Sequence, residues 1–119
     1  METSELEEEV QTALNNSECE VYHYIAPSVE PSRYPIIVYA PISDVPSLAG
    51  DNQEIAHLVT IRIHVITLQG RTLEEDKNFQ SVCKRVRELM TDLQFVRQQT
   101  TRYVEDGKFM EVIDFVRGI

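Results

Sequence analysis

The feature that most constrains the fold of this chain is one apolar stripe at helical spacing. Between residues 79 and 93 apolar side chains recur every three or four positions, which places them on one face of a helix about four turns long. Thr72 and Glu75 form a capping-box pattern just before it. We therefore expect this helix to pack across a sheet. The stripe consists of Phe79, Val82, Cys83, Val86, Leu89, Met90 and Leu93.

Two segments are the predicted central strands of that sheet. The four apolar residues at odd positions from Val59 to Val65 alternate with Thr60, Arg62 and His64, so one face meets the core and the other meets water or a partner. Residues 36–40 form a continuous apolar run between two prolines, which is typical of a well-buried strand. A short β-prone segment, residues 20–25, precedes them.

The end of the chain predicts a hairpin of residues 95–104 and 109–117. Asp106-Gly107 favours a type I′ turn, and the resulting register places Glu105 opposite Lys108 and Arg102 opposite Glu111. Neither face of this hairpin is cleanly apolar. Two explanations stay open: a central position with both faces covered, or a face that another subunit buries.

The first helix and one loop complete the predicted elements. Ser4 and Glu7 match a capping box, followed by Leu6, Val10, Ala13 and Leu14 on one helical face. Residues 43–53 are rich in Asp, Ser, Pro and Gly without any periodicity, and predict a long loop.

These elements predict a single α+β domain over residues 1–119. Their order is α-β-β-β-α-β-β, with a mixed, mostly antiparallel sheet of about five strands and two helices packed on it.

The charge of the chain is distributed unevenly. Its net charge is −9, and residues 1–60 hold eleven acids but one base, Arg33. This distribution argues against a surface that grips nucleic acid, because such a surface needs clustered Lys and Arg. It fits contact with a basic partner, a surface that DNA passes without binding, or solubility alone. The N-terminus is acidic and no apolar run reaches about 20 residues, so we expect neither a signal peptide nor a membrane span, and a cytosolic setting.

Motifs for chemistry are absent from the sequence. Cys19 and Cys83 are too few for a disulfide framework and are expected as reduced core residues. His23, His57 and His64 do not have zinc-ligand spacing, and no phosphate loop or nucleophile elbow occurs. We expect no enzyme, no cofactor and no metal site.

The order of several segments resembles a known family, the tail completion or tail terminator (head–tail joining) proteins of long-tailed bacteriophages. Gln94 departs from the glycine usual in that family. The matching segments are residues 21–24 (Val-Tyr-His-Tyr) and the proline-rich connector after them, 34–39 (Tyr-Pro-Ile-Ile-Val-Tyr), 51–52 leading into 59–65, 93–97 (Leu-Gln-Phe-Val-Arg), 103–107 (Tyr-Val-Glu-Asp-Gly) and 113–117.

The resemblance implies an α+β fold and a structural role without catalysis. It implies a ring, commonly a homo-hexamer, that caps the tail tube and meets the head connector, from a protein that can be monomeric when isolated. The expected partners are the major tail tube protein and the head connector proteins, with DNA passing through but not specifically bound. The expected location is the tail–head junction of the virion, and the host cytoplasm during assembly.

The expected partner contacts involve the 43–53 loop and the mixed-charge C-terminal half. These residues are Asp44, Val45, Leu48, Asp51, Arg97, Arg102, Glu111 and Arg117. The Arg102–Glu111 pair is expected to be an exposed rim pair of little value to stability. The alternative function is a small intracellular adaptor or regulatory protein-binding domain, and a small hydrolase is third.

Overall fold

The computed structural model describes residues 2–49 and 53–119 and confirms the predicted α+β order within them. Two short 3-10 turns, Asn15–Ser17 and Pro31–Arg33, lie between these elements. The helices and strands are α1 (Thr3–Leu14), β1 (Glu20–His23), β2 (Ile36–Ala49), β3 (Gln53–Leu68), α2 (Leu73–Asp92), β4 (Val96–Glu105) and β5 (Lys108–Gly118).

The five strands form one mixed sheet in the order β1-β2-β3-β5-β4. β1 runs parallel to β2, and every other neighbouring pair is antiparallel. The predicted register of the last hairpin is confirmed: Arg102 lies opposite Glu111, and Glu105 opposite Lys108. Asp106 and Gly107 both have positive φ, as a type I′ turn requires. β5 is therefore an inner strand, and β4 is an edge.

Both helices pack on the same face of the sheet. The predicted stripe of α2 is buried except for the partly buried Leu93, and it contacts the odd-numbered residues of β3 from Val59 to Val65, all of which are fully buried. Leu6, Val10 and Leu14 of α1 complete this core. The capping box of α2 forms as predicted, with Thr72 and Glu75 bonded reciprocally.

No helix of the described residues lies on the opposite face of the sheet. A smaller apolar cluster of Ile36, Val38, Ile66 and Met110 occupies one end of it. Val29 and Tyr34, from the connector between β1 and β2, pack against this cluster. The connector thus covers that end of the face.

The predicted loop at residues 43–53 is wrong. β2 continues through Pro41 and Pro46 to Ala49, and β3 begins at Gln53, so most of this segment is a paired β-hairpin. The backbone N–H and C=O of His57 both form hydrogen bonds of 2.8 Å with the backbone of Ile119, the residue that follows β5. Pro46 lies opposite His57, so its nitrogen points away from β3. Pro41 lies opposite Ile61, and its nitrogen points away from β3 for the same reason. Proline is compatible with a strand at such an outer edge.

Two smaller expectations also differ. The capping box at Ser4 does not form, because α1 begins two residues earlier than that box predicts and Glu2 is its N-cap, without a side-chain hydrogen bond. β1 ends at His23 rather than residue 25, since Tyr24 adopts a positive φ of 69°. No helix in the described part of the chain is long and apolar enough to cross a membrane.

Candidate assembly interface

A hairpin arm projects from the body of the protein. It comprises residues 46–49 of β2 and 53–57 of β3, which pair with each other beyond the end of β5. Within the described residues no third strand accompanies them. The molecule accordingly measures 56 Å along its longest axis but 24 and 22 Å across.

The base of the arm is tied to α1 through Asp44. Its carboxylate accepts a hydrogen bond of 2.7 Å from the Thr3 hydroxyl and lies 2.9 Å from Nδ1 of His57. The Thr3 bond and then the His57 contacts lower the pKa of Asp44. Of the predicted contact residues, Val45 is exposed beside it, Leu48 is a β2 residue opposite Glu54, and Asp51 lies outside the described residues.

β4 is the second open element. All ten of its residues are exposed, and β5 is its strand partner in the described chain. The predicted contact residues Arg97 and Arg102 belong to this strand. A strand edge of this length carries unpaired backbone donors and acceptors, which are a template for another strand.

The Arg102–Glu111 pair differs from the expected rim pair. The Glu111 side chain is 0% exposed beneath α2, so it is not a surface contact of the isolated subunit. It accepts a hydrogen bond of 2.7 Å from Nε of Arg102 and one of 3.1 Å from Nη1 of Arg87. Arg102 therefore lies on the open edge strand and also bonds to a buried carboxylate. Its charge stabilises the fold as well as being exposed at the surface.

A polar network crosses the helix-free face. Arg62 of β3 donates two hydrogen bonds, 2.8 and 3.0 Å long, to Asp114 of β5, and Gln99 of β4 donates a third at 3.0 Å. The bond from Arg62 is the main cause of the lowered pKa of Asp114. Arg62 and Gln99, together with His64 and Tyr103, line a shallow cavity of about 220 Å³. The network links β3, β5 and β4 across the open side of the sheet.

His64 makes the stability of this face dependent on pH. Burial, followed by the adjacent Arg62 charge, lowers the pKa of His64, and the Asp114 carboxylate opposes this. The folded state therefore binds fewer protons than the unfolded one below about pH 6.5, the pKa of an unperturbed histidine. We expect the free energy of unfolding to fall as the pH drops from 7 to 5. His64→Gln should flatten this slope in urea titrations, and an unchanged slope would contradict the assignment.

Exposed apolar residues lie on the same face at the base of the arm. Val45 pairs with Leu58, and Val96 pairs with the half-buried Val116, so these side chains share one side of the sheet. Val45, Leu58 and Val96 are 51, 47 and 66% exposed, respectively. An apolar row that crosses from β2 to β4 is a feature of surfaces that meet another protein.

The two sides of the sheet differ in charge. α1 lies over β1 and β2, where Gln11 bonds to Tyr39 and Glu7 to His23, and it displays Glu2, Glu5 and Glu8 to solvent. The opposite side, on β4 and on α2 beside it, has mixed charge. Exposed Lys84, Arg97 and Arg102 lie there together with exposed Glu88, Asp92 and Glu105. Arg117, another predicted contact residue, instead bonds to Glu9 of α1 at 3.2 Å.

The cysteines are both free, and no metal cluster forms among the described residues. Cys83 is buried as predicted, while Cys19 is partly buried. Burial raises the pKa of both thiols, and the nearby Glu111 charge raises that of Cys83 further. No three His, Cys, Asp or Glu residues within residues 2–49 and 53–119 come close enough to hold an ion.

No family model matches this chain, and a search of curated proteins finds no match.

Sequence analysis missed three residues that build these surfaces: Arg62, Arg87 and Asp114. Their partners become visible only from the β3–β5 pairing, which places Arg62 directly opposite Asp114.

Proposed function

We propose that this chain is the tail terminator of a long-tailed bacteriophage. In this role it is a structural protein without catalytic activity that caps the tail tube and joins the tail to the head connector. Its copies form a ring, commonly of six, at the tail–head junction of the virion. Its partners are the major tail tube protein and the connector proteins, and assembly takes place in the host cytoplasm.

The observation that carries the proposal is that one subunit has two unlike open β elements. The hairpin arm extends beyond the end of β5, and the fully exposed β4 forms the opposite edge of the sheet. Contact between two unlike surfaces is head-to-tail, and repetition of such a contact closes a ring when the rotation permits. A symmetric dimer needs only one self-complementary patch, so two unlike surfaces favour a ring.

The charge distribution supports the same arrangement. The α1 side is acidic, and the β4 side, which has mixed charge, displays Lys84, Arg97 and Arg102. Neighbours in a head-to-tail ring bring these unlike sides together, which favours correct orientation and speeds encounter. Two subunits that meet through their α1 sides would instead repel each other.

The acidic first half of the chain suits a protein that DNA must pass. Phosphates near carboxylates are repelled, and the effect decays over about 8 Å at physiological salt. A lining or rim formed by α1 would let DNA slide without being held. DNA is therefore a passing molecule in this proposal, and not a ligand.

The proposal is tested in a phage that carries this gene with an early stop codon. Lysates of infected cells should contain full heads and unjoined tails, many of them overlong, when viewed by negative-stain electron microscopy. The wild-type chain supplied from a plasmid should restore joined particles. If the mutant phage makes joined, infectious particles with normal tails, the chain is not a tail terminator, and the adaptor alternative gains support.

A further inference from the structure

We propose that the outer edge of β4 in one copy binds the hairpin arm of a second copy as an added strand. The inference rests on the proposed ring and identifies the contact that closes it. Backbone hydrogen bonds between the two elements form this contact, and the opposite charges of the two segments favour this pairing over others.

The strand register shows which β4 residues have free backbone groups. His57 and Ile119 exchange both hydrogen bonds, so odd-numbered β5 residues direct their peptide groups to β3, and even-numbered ones direct them to β4. Even-numbered Asp114 and Val112 pair with Gln99 and Thr101. The intervening residues of β4 therefore direct their N–H and C=O groups outward, away from the sheet. They are Thr100, Arg102 and Val104.

The two edges of the arm are not equivalent. On the β2 side, Pro46 turns its nitrogen outward, so this edge of the arm lacks a donor. The β3 side, residues 53–57, contains no proline and continues past Ile119, where β5 no longer covers it. The β3 side of the arm is therefore the edge that retains its backbone donors.

Charge favours the arm over a second β4 as the partner strand. The arm contains Glu54 and no Lys or Arg, whereas β4 contains two arginines and one glutamate. Two antiparallel β4 strands that used all three outward residues would place Arg102 directly opposite its own copy. Like charges in that position are destabilising. The acidic arm relieves this repulsion.

Proline substitution tests the two hydrogen-bonding edges of β4 separately. Thr100→Pro removes an outward donor and leaves the β4–β5 hydrogen bonds in place, whereas the matched control Thr101→Pro removes a donor that bonds to β5. Sedimentation velocity of the full chain up to about 1 mM, where weak contacts are populated, measures self-association. We expect wild type to form species larger than a dimer, and Thr100→Pro to weaken association by at least about tenfold with an unchanged urea midpoint. Thr101→Pro should lower that midpoint.

A charge exchange tests the partner. Arg97→Glu and Glu54→Lys should each weaken association alone, and a mixture of the two should associate more tightly than either. The inference is overturned if wild type stays monomeric at the highest concentration, if it stops at a dimer, or if Thr100→Pro associates as wild type does. None of these outcomes decides the tail-terminator proposal, which depends on the phenotype of the mutant phage.

Discussion

The double variant Arg87→Met/Arg102→Met should unfold about 3–5 kcal/mol more easily than wild type. Both arginines donate hydrogen bonds to Glu111, whose side chain is fully buried between α2 and the sheet. Without them the carboxylate stays in a low-dielectric site with no counter-charge, and that costs far more than the loss of an exposed pair. Urea denaturation followed by circular dichroism measures the change.

The triple variant with Glu111→Met added is the matched control. Replacement of a whole buried ion cluster by apolar side chains of similar size is often neutral or stabilising, so we expect it to recover most of the loss. A double variant as stable as wild type would mean that these ion pairs contribute nothing to the free energy of unfolding. The same reasoning makes Arg102→Glu a poor probe of assembly, because it would destabilise the subunit itself.

Phe79→Ala should lower the free energy of unfolding by about 3–5 kcal/mol, since it removes a fully buried ring. The edge of this ring meets Phe109 at a centroid distance of 5.5 Å, and the Arg71 guanidinium lies 4.3 Å from the centroid of Phe109. The cavity would thus open where α2 packs on β5.

Leu73→Ala is the control from the same helix. Leu73 is 71% exposed, so its truncation should change stability by less than about 0.5 kcal/mol. Equal urea midpoints for the two variants would contradict the packing of α2 on the sheet.

The elements that the sequence predicts correctly depend on short-range patterns. The stripe of α2, the alternation from Val59 to Val65 and the Asp106-Gly107 turn each specify one local conformation and one buried face. The hairpin register follows from the turn alone, which is why Arg102 could be placed opposite Glu111 before any tertiary contact was known.

The wrong expectations are those that depend on distant neighbours. Residues 43–53 have the composition of a loop, but proline and aspartate are compatible with a strand whose outer edge is open, as Pro46 shows. Glu111 resembles a surface residue until Arg87 is brought to it from α2. The open edge of β4 is likewise a property of the strand order, which local patterns do not determine.

The tail-terminator role is tested by tail length in the phage with an early stop codon in this gene. Negative-stain micrographs of its lysate give a distribution of lengths for tails not attached to heads. We expect unjoined tails with a broad distribution that extends well beyond the wild-type length, and a return to wild-type length when the intact chain is supplied. Tails of uniform, wild-type length joined to full heads in the absence of this protein would contradict it.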